Sequence, residues 1–156
     1  MENLSEKIKL WFKKDLPIFR YLTGKDVKTF PPSLFEQVNV YKGETVCVEG
    51  KICDYVALIL SGKIEIKKDT DFAGKQVVIG ILSEGSVVGE MWLLEDHPGP
   101  VTAVAVEDSI LLMMSRQNFN TLIENDPVMG VKLLKGVLLS TSIRLRKAYD
   151  RMAAIF

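Results

Sequence analysis

Seven short runs rich in β-branched residues follow one another between Phe35 and Ser115, and glycines punctuate them at nearly constant spacing. The runs are Val38 to Val40, Thr45 to Val48, Tyr55 to Leu60, Lys63 to Ile66, Gln76 to Leu82, Val101 to Val106 and Ser109 to Met114. Gly43 opens the glycine series, and Gly50, Gly62, Gly74 and Gly85 continue it at intervals of 12, 12 and 11 residues. Short strands with turn residues at such spacing build a β-sandwich or jelly roll. With 156 residues the chain has room for one domain of ordinary size, and its 47% apolar and 26% charged content is that of a globular protein.

Helical patterns flank the strands. Leu4, Ile8, Trp11 and Phe12 form an apolar stripe over residues 3 to 14, with Lys7, Lys9, Lys13 and Lys14 mostly elsewhere. Such a stripe either packs as a terminal helix or lies on an anionic membrane surface, and the short stripe favours packing. Pro17 and Thr23 start two further short helices, and Pro31-Pro32 stops the pattern. Ser115 caps a helix running to Asn125, and Asp126-Pro127 supplies an N-cap followed by Pro at N1. The expected class is therefore α+β, one domain over 1–156. Short helices occupy 1–34, a double-stranded β-helix (jelly-roll) barrel 35–115, and helices 116–156.

The last helix carries a heptad seam. Val131, Leu138, Leu145 and Met152 stand seven apart, with Leu134, Thr141, Ala148 and Ile155 between them at steps of three and four. Seven of these eight a/d positions are apolar, as in a two-stranded coil of either orientation. Leu133, Val137 and Leu139 point to the first half lying along the chain's own barrel. Beyond Ile143 only the seam needs covering, and a second copy of the chain is the simplest cover, which predicts a homodimer.

Net charge is zero, but residues 31 to 125 carry seven Lys/Arg against fourteen Asp/Glu, and both ends are basic. No Lys or Arg lies between Lys75 and Arg116. Two cysteines cannot make a four-ligand metal or iron-sulfur site by themselves and only one His exists to help, which rules out most metal and redox chemistry, so no metal is expected. Met1 to Glu6 lacks the basic n-region of a leader, and no run approaches the ~20 apolar residues of a membrane span. The reading is cytoplasmic, with no membrane span.

The order of short helices, jelly roll and long seam helix resembles the cyclic-nucleotide-binding domain. Lys42-Gly43-Glu44, Glu49-Gly50, Leu60-Ser61-Gly62-Lys63 and above all Glu84-Gly85-Ser86-Val87-Val88-Gly89-Glu90-Met91 carry the resemblance, from Leu16 to about Met152. The last stretch is similar to the opening of the family's phosphate-binding cassette, Gly-Glu-Leu-Ala-Leu followed by Pro-Arg-Ala-Ala-Thr. The resemblance implies a ligand pocket at Gly89, Glu90, Met91, Trp92, Gly99, Pro100, Val101 and Thr102. Gly89 admits a close backbone approach, and Glu90 can accept from ribose hydroxyls. A short helix opening there turns N–H groups toward an anion.

The departures from the pattern bear on the ligand. Pro98 and Thr102 hold the family's Pro and Thr positions, which places Gly99 where the arginine belongs; a one-residue longer loop places Pro100 there. Neither register supplies a cation. Losing a buried phosphate's paired cation costs roughly 3 to 5 kcal/mol, about two to four orders of magnitude in affinity. A helix N-terminus returns only about 0.3 to 1 kcal/mol when exposed. Trp92 is either ordinary core or a filler of the pocket. Where the family caps the base with the long helix, Arg144 and Leu145 stand here, with Ser140, Thr141 and Ser142 one turn earlier.

The expected function is a dimeric, non-catalytic regulatory or sensor module in which cAMP or cGMP binding is weakened or lost, so no cofactor is expected. The residues name neither the small-molecule effector nor a protein partner through which it acts. Two alternatives stand beside it: a working cyclic-nucleotide protein with an atypical phosphate contact, and a fragment of a transcription regulator. No residues follow Phe156 to build a helix-turn-helix, so specific DNA binding is not expected. His97, the lone His, sits in a Pro-Gly-Pro loop with no adjacent nucleophile, which argues against an enzyme.

Overall fold

The computed structural model describes residues 4–156. The helix expected from residue 3 begins at Leu4; Asn3, and the start of the chain on which the leader reading rests, lie outside the described residues. Two compact units emerge, Ser33–Thr121 and the pairing of Met1–Pro32 with Leu122–Phe156.

In the first unit the strands are β1 (Glu36–Val40), β2 (Thr45–Cys47), β3 (Tyr55–Ser61), β4 (Ile64–Asp69), β5 (Gln76–Leu82), β6 (Val87–Val88), β7 (Thr102–Ala105) and β8 (Ser109–Ser115). They form two antiparallel sheets, ordered β1-β8-β3-β6 and β2-β7-β4-β5. Ala57, Ile59, Val88 and Leu111 of one sheet and Ile64, Ile66, Leu82, Ala103 and Ala105 of the other share a single buried cluster, so the sheets face each other. β3 lies between β8 and β6 and is buried on both faces, which is why it reads as a continuous apolar run rather than an alternation. All five punctuating glycines have φ between 76 and 94°, a region L side chains rarely adopt. Seven strands coincide with the sequence runs. The eighth, β6, has two residues, too few to display a period. β4 extends past its expected end to Asp69 because Lys67, Lys68 and Asp69 continue the hairpin with β5 where burial is not required.

In the second unit α1 (Leu4–Lys13) buries Ile8 and Trp11, and the Phe12 ring meets Phe19 at 4.6 Å and Phe30 at 5.4 Å. This is the packed terminal helix, with aromatic contacts holding its C-terminal end. A 3-10 turn at Pro17–Phe19 leads to α2 (Gly24–Thr29), opened by a Thr23/Asp26 capping box. Lys132 Nζ reaches the same Asp26 carboxylate at 2.7 Å, and Lys135 Nζ lies 4.7 Å from the centre of the Tyr21 ring.

The bridging helix α3 (Arg116–Asn125) is capped by Ser115 Oγ, which accepts from Asn118 N, and α4 (Pro127–Ala153) by Asp126, which accepts from Met129 N. α4 buries Met129, Gly130, Leu133, Gly136, Val137 and Ser140. The Pro17–Phe19 turn covers this half of α4, a cover that the apolar pattern did not identify. Gly136 makes the approach possible: a Cβ there would stand 1.9 Å from the Ile18 carbonyl oxygen. The seam faces elsewhere, with Val131, Leu138, Leu145 and Met152 each at least 50% exposed, Leu134 and Ile155 also exposed, and Thr141 and Ala148 half-buried. No helix among the described residues is long and apolar enough to cross a membrane.

Candidate functional site

The cassette begins where β6 ends. Gly89 has φ 83°, and a Cβ on it would lie 2.7 Å from the Tyr55 carbonyl oxygen as well as 2.7 Å from the Trp92 ring, so two independent constraints require glycine. The helix expected to open there is a single 3-10 turn, Glu90–Leu93, and the Trp92 N–H already donates to Gly89 O at 3.1 Å. Glu90 is half-buried, and its charge reaches the Cys47 thiol. Met91 points outward and is exposed.

Trp92 is buried and belongs to the core cluster of the barrel. Its indole extends from Gly89 to Gly99, where an added Cβ would lie 2.7 Å from Cζ2 and 3.3 Å from Cη2. The indole Nε1 donates to His97 O at 2.8 Å, which ties the ring to the returning loop. Trp92 is thus a core residue whose ring also lies against both glycines of the cassette. Gly99 is buried and held by its backbone: its N–H donates to Lys51 O, and its carbonyl accepts from Gly50 N, both at 2.9 Å. Pro100 is exposed, Val101 packs against the core cluster, and the buried Thr102 accepts from Glu49 N through Oγ1 at 2.9 Å.

The count of cations along the chain misses what folding brings near. Arg116 pairs its guanidinium with Asp96 in the cassette loop, and its backbone N–H donates to Asp54 O at 2.7 Å. The Lys51 carbonyl meets the site through the bond it accepts from Gly99 N. Neither was visible as a neighbour in sequence, because Arg116 is 17 positions beyond Gly99 and Lys51 is 48 before it. The unit Ser33–Thr121 as a whole holds thirteen Asp/Glu against seven Lys/Arg, and the other unit holds the reverse, so both basic ends of the chain fall in one unit. A barrel of net charge −6 disfavours a second negative charge in its interior.

Elsewhere, the Thr141 hydroxyl donates to Val137 O at 2.9 Å, a bond within its own helix. Among the described residues no group of three or more His, Cys, Asp or Glu is placed to hold a metal ion.

The sequence model of the cyclic nucleotide-binding domain matches residues 37–126. The chain is 29% identical over 131 residues to a cyclic AMP receptor protein of Thermus thermophilus, 84% of this chain but 59% of the receptor. It is also 30% identical over 101 residues to a lysophospholipase of Aspergillus terreus, 64% of this chain and 6% of that enzyme. The chain thus spans about three fifths of the first relative and a small fraction of the second. Among solved structures, a cyclic nucleotide-binding domain from Methylobacillus flagellatus superposes with a TM-score of 0.82 at 24% identity, covering 94% of this chain and 84% of that one. The catabolite activator protein of Thermus thermophilus superposes with a TM-score of 0.70 at 27% identity, covering 89% and 62%.

Proposed function

The chain belongs to the cyclic nucleotide-binding domain family, and on that premise we propose that it is a non-catalytic, homodimeric regulatory module whose cassette no longer holds a cyclic phosphate. The observation that carries this reading is the Trp92 indole lying between Gly89 and Gly99. A phosphate held in the family's manner needs the backbone at the first glycine and a cation at the second, and the ring stands between the two. The net negative barrel and the Arg116 pairing with Asp96 support the same conclusion. Output then comes from another ligand or from a protein partner. Specific DNA recognition is no part of this reading.

The dimer rests on the α4 seam, whose apolar side chains stand in water in the single chain. A parallel alignment suits the flanking positions: Arg144 at g meets Tyr149 at e of the second copy, a cation over an aromatic ring, whereas antiparallel alignment sets g against g and brings arginines together. Leu138→Asp with Leu145→Asp should convert the dimer to a folded monomer in sedimentation velocity. An unchanged mass would remove α4 as the interface.

Titration calorimetry with cAMP and cGMP tests the cassette, with no binding tighter than millimolar expected. Micromolar affinity for either would overturn the reading. One observation favours a second reading, that Arg116 swings from Asp96 to serve as the phosphate's cation. Arg116→Ala would then abolish that micromolar binding.

A further inference from the structure

The two thiols of the chain play no part in the cassette as described, yet folding brings them to one place. Cys47 ends β2 and Cys53 stands just before β3, with five residues between them. Both are free. Cys47 is a member of the barrel's buried cluster, and Cys53 and Tyr55 pack against that same cluster. The Tyr55 hydroxyl donates to Val46 O at 2.5 Å, the carbonyl next to Cys47, and the Cys53 thiol is a hydrogen-bond neighbour of that hydroxyl. One phenol thus ties together both ends of the intervening loop.

Burial pushes the Cys47 thiol up to about 11, with the neighbouring Cys53 and Glu90 adding to the effect, so Cys47 stays protonated and shielded. Burial also raises the Tyr55 phenol, and its hydrogen bond with the Cys53 sulfur adds to the effect. Both thiols lie against the same buried cluster, on the two sides of a loop whose ends the Tyr55–Val46 hydrogen bond draws together. The Cys47 thiol donates to Val101 O at 3.8 Å. Cys53 is half-buried and is the more accessible of the two.

We propose that Cys53 is a peroxide-oxidisable site with Cys47 as its resolving thiol, the two closing an intramolecular disulfide around residues 48 to 52. The Cys53 sulfur, as thiolate, attacks one oxygen of hydrogen peroxide; the O–O bond breaks, the other oxygen leaves as water after taking up a proton, and Cys53 becomes a sulfenic acid. The Cys47 sulfur then attacks the Cys53 sulfur, the S–O bond breaks, and the departing hydroxide leaves as water with the Cys47 proton. Two thiols and one peroxide give one disulfide and two waters. The closed ring contains Gly50 and Lys51, whose backbones hold Gly99, so the oxidised form restrains the cassette loop. The inference does not depend on whether the cassette binds a nucleotide.

Hydrogen peroxide titration of the reduced full chain, read by intact mass and thiol count, is the test. The expected result is loss of two hydrogens with both thiols disappearing together, a digest peptide joining Cys47 to Cys53, and full recovery with dithiothreitol. Cys47→Ser should stop at a dimedone-trappable sulfenic acid on Cys53. Oxygen added to one cysteine of the wild type while the other stays free overturns the proposal. So does a disulfide found only between chains, or no reaction under conditions that oxidise a simple peptide thiol.

Discussion

Restoring the cassette's cation by Gly99→Arg alone should fail, and the structure says why. The new Cβ would sit 2.7 Å from Trp92 Cζ2, and that ring is fixed by burial and by its hydrogen bond to His97 O, so it has no free direction in which to yield. Overpacking of this kind costs about 1 to 3 kcal/mol, and the guanidinium gains nothing until a phosphate can reach it. Trp92→Ala removes the obstruction at a cost of about 3 to 5 kcal/mol in stability, a large part of the 5 to 15 kcal/mol that domains typically possess. Trp92→Leu keeps part of the volume and is the safer background. In Trp92→Leu/Gly99→Arg the restored cation is worth about 3 to 5 kcal/mol, so cAMP affinity should rise by about two to four orders of magnitude over Trp92→Leu alone. Calorimetry on the wild type, both single variants and the double variant measures this, with thermal melting to certify the fold. Pro100→Arg beside them tests the other loop register, in which the side chain starts from an exposed position. The reasoning is refuted if Gly99→Arg binds cAMP as well as the double variant does, because Trp92 would then be no obstacle.

Gly136→Ala sets two effects against each other: helix propensity favours Ala by about 1 kcal/mol, but the Cβ would stand 1.9 Å from Ile18 O. Backbone cannot give way as a side-chain tip can, so the melting temperature should fall, at about 2 to 4 °C per kcal/mol lost; a rise would contradict the packing. Asp26 has its pKa lowered from 3.8 to about 2, first by the Lys132 hydrogen bond and then by the Thr23 backbone N–H. Its folded value lies below its unfolded one, so its contribution is full above pH 3.8 and disappears as pH falls toward about 2. Asp26→Asn should therefore lower stability at neutral pH by about 1 kcal/mol through the weakened cap, and flatten the acid limb of the stability curve in urea denaturation. An unchanged acid limb would assign that limb to other carboxylates.

The strands and the two helix caps at Ser115 and Asp126 were legible in the sequence because each rests on local spacing: period two, or a cap residue before a helical run. The glycine series was legible for the same reason, since a turn's need for positive φ is met within a few residues. The cassette was legible as a motif and as a missing arginine. Its content was not. Trp92 is a core residue in the fold, and its ring lies against both Gly89 and Gly99, a relation between positions that only the returning loop brings together. Arg116 entered the site from beyond β8, Lys51 through a backbone pair with Gly99, and the two basic ends met in one unit although the whole chain lies between them. Local chemistry writes itself into neighbouring residues, whereas a site's charge and free volume are sums over groups brought together by chain closure, and no spacing rule along the sequence carries that sum.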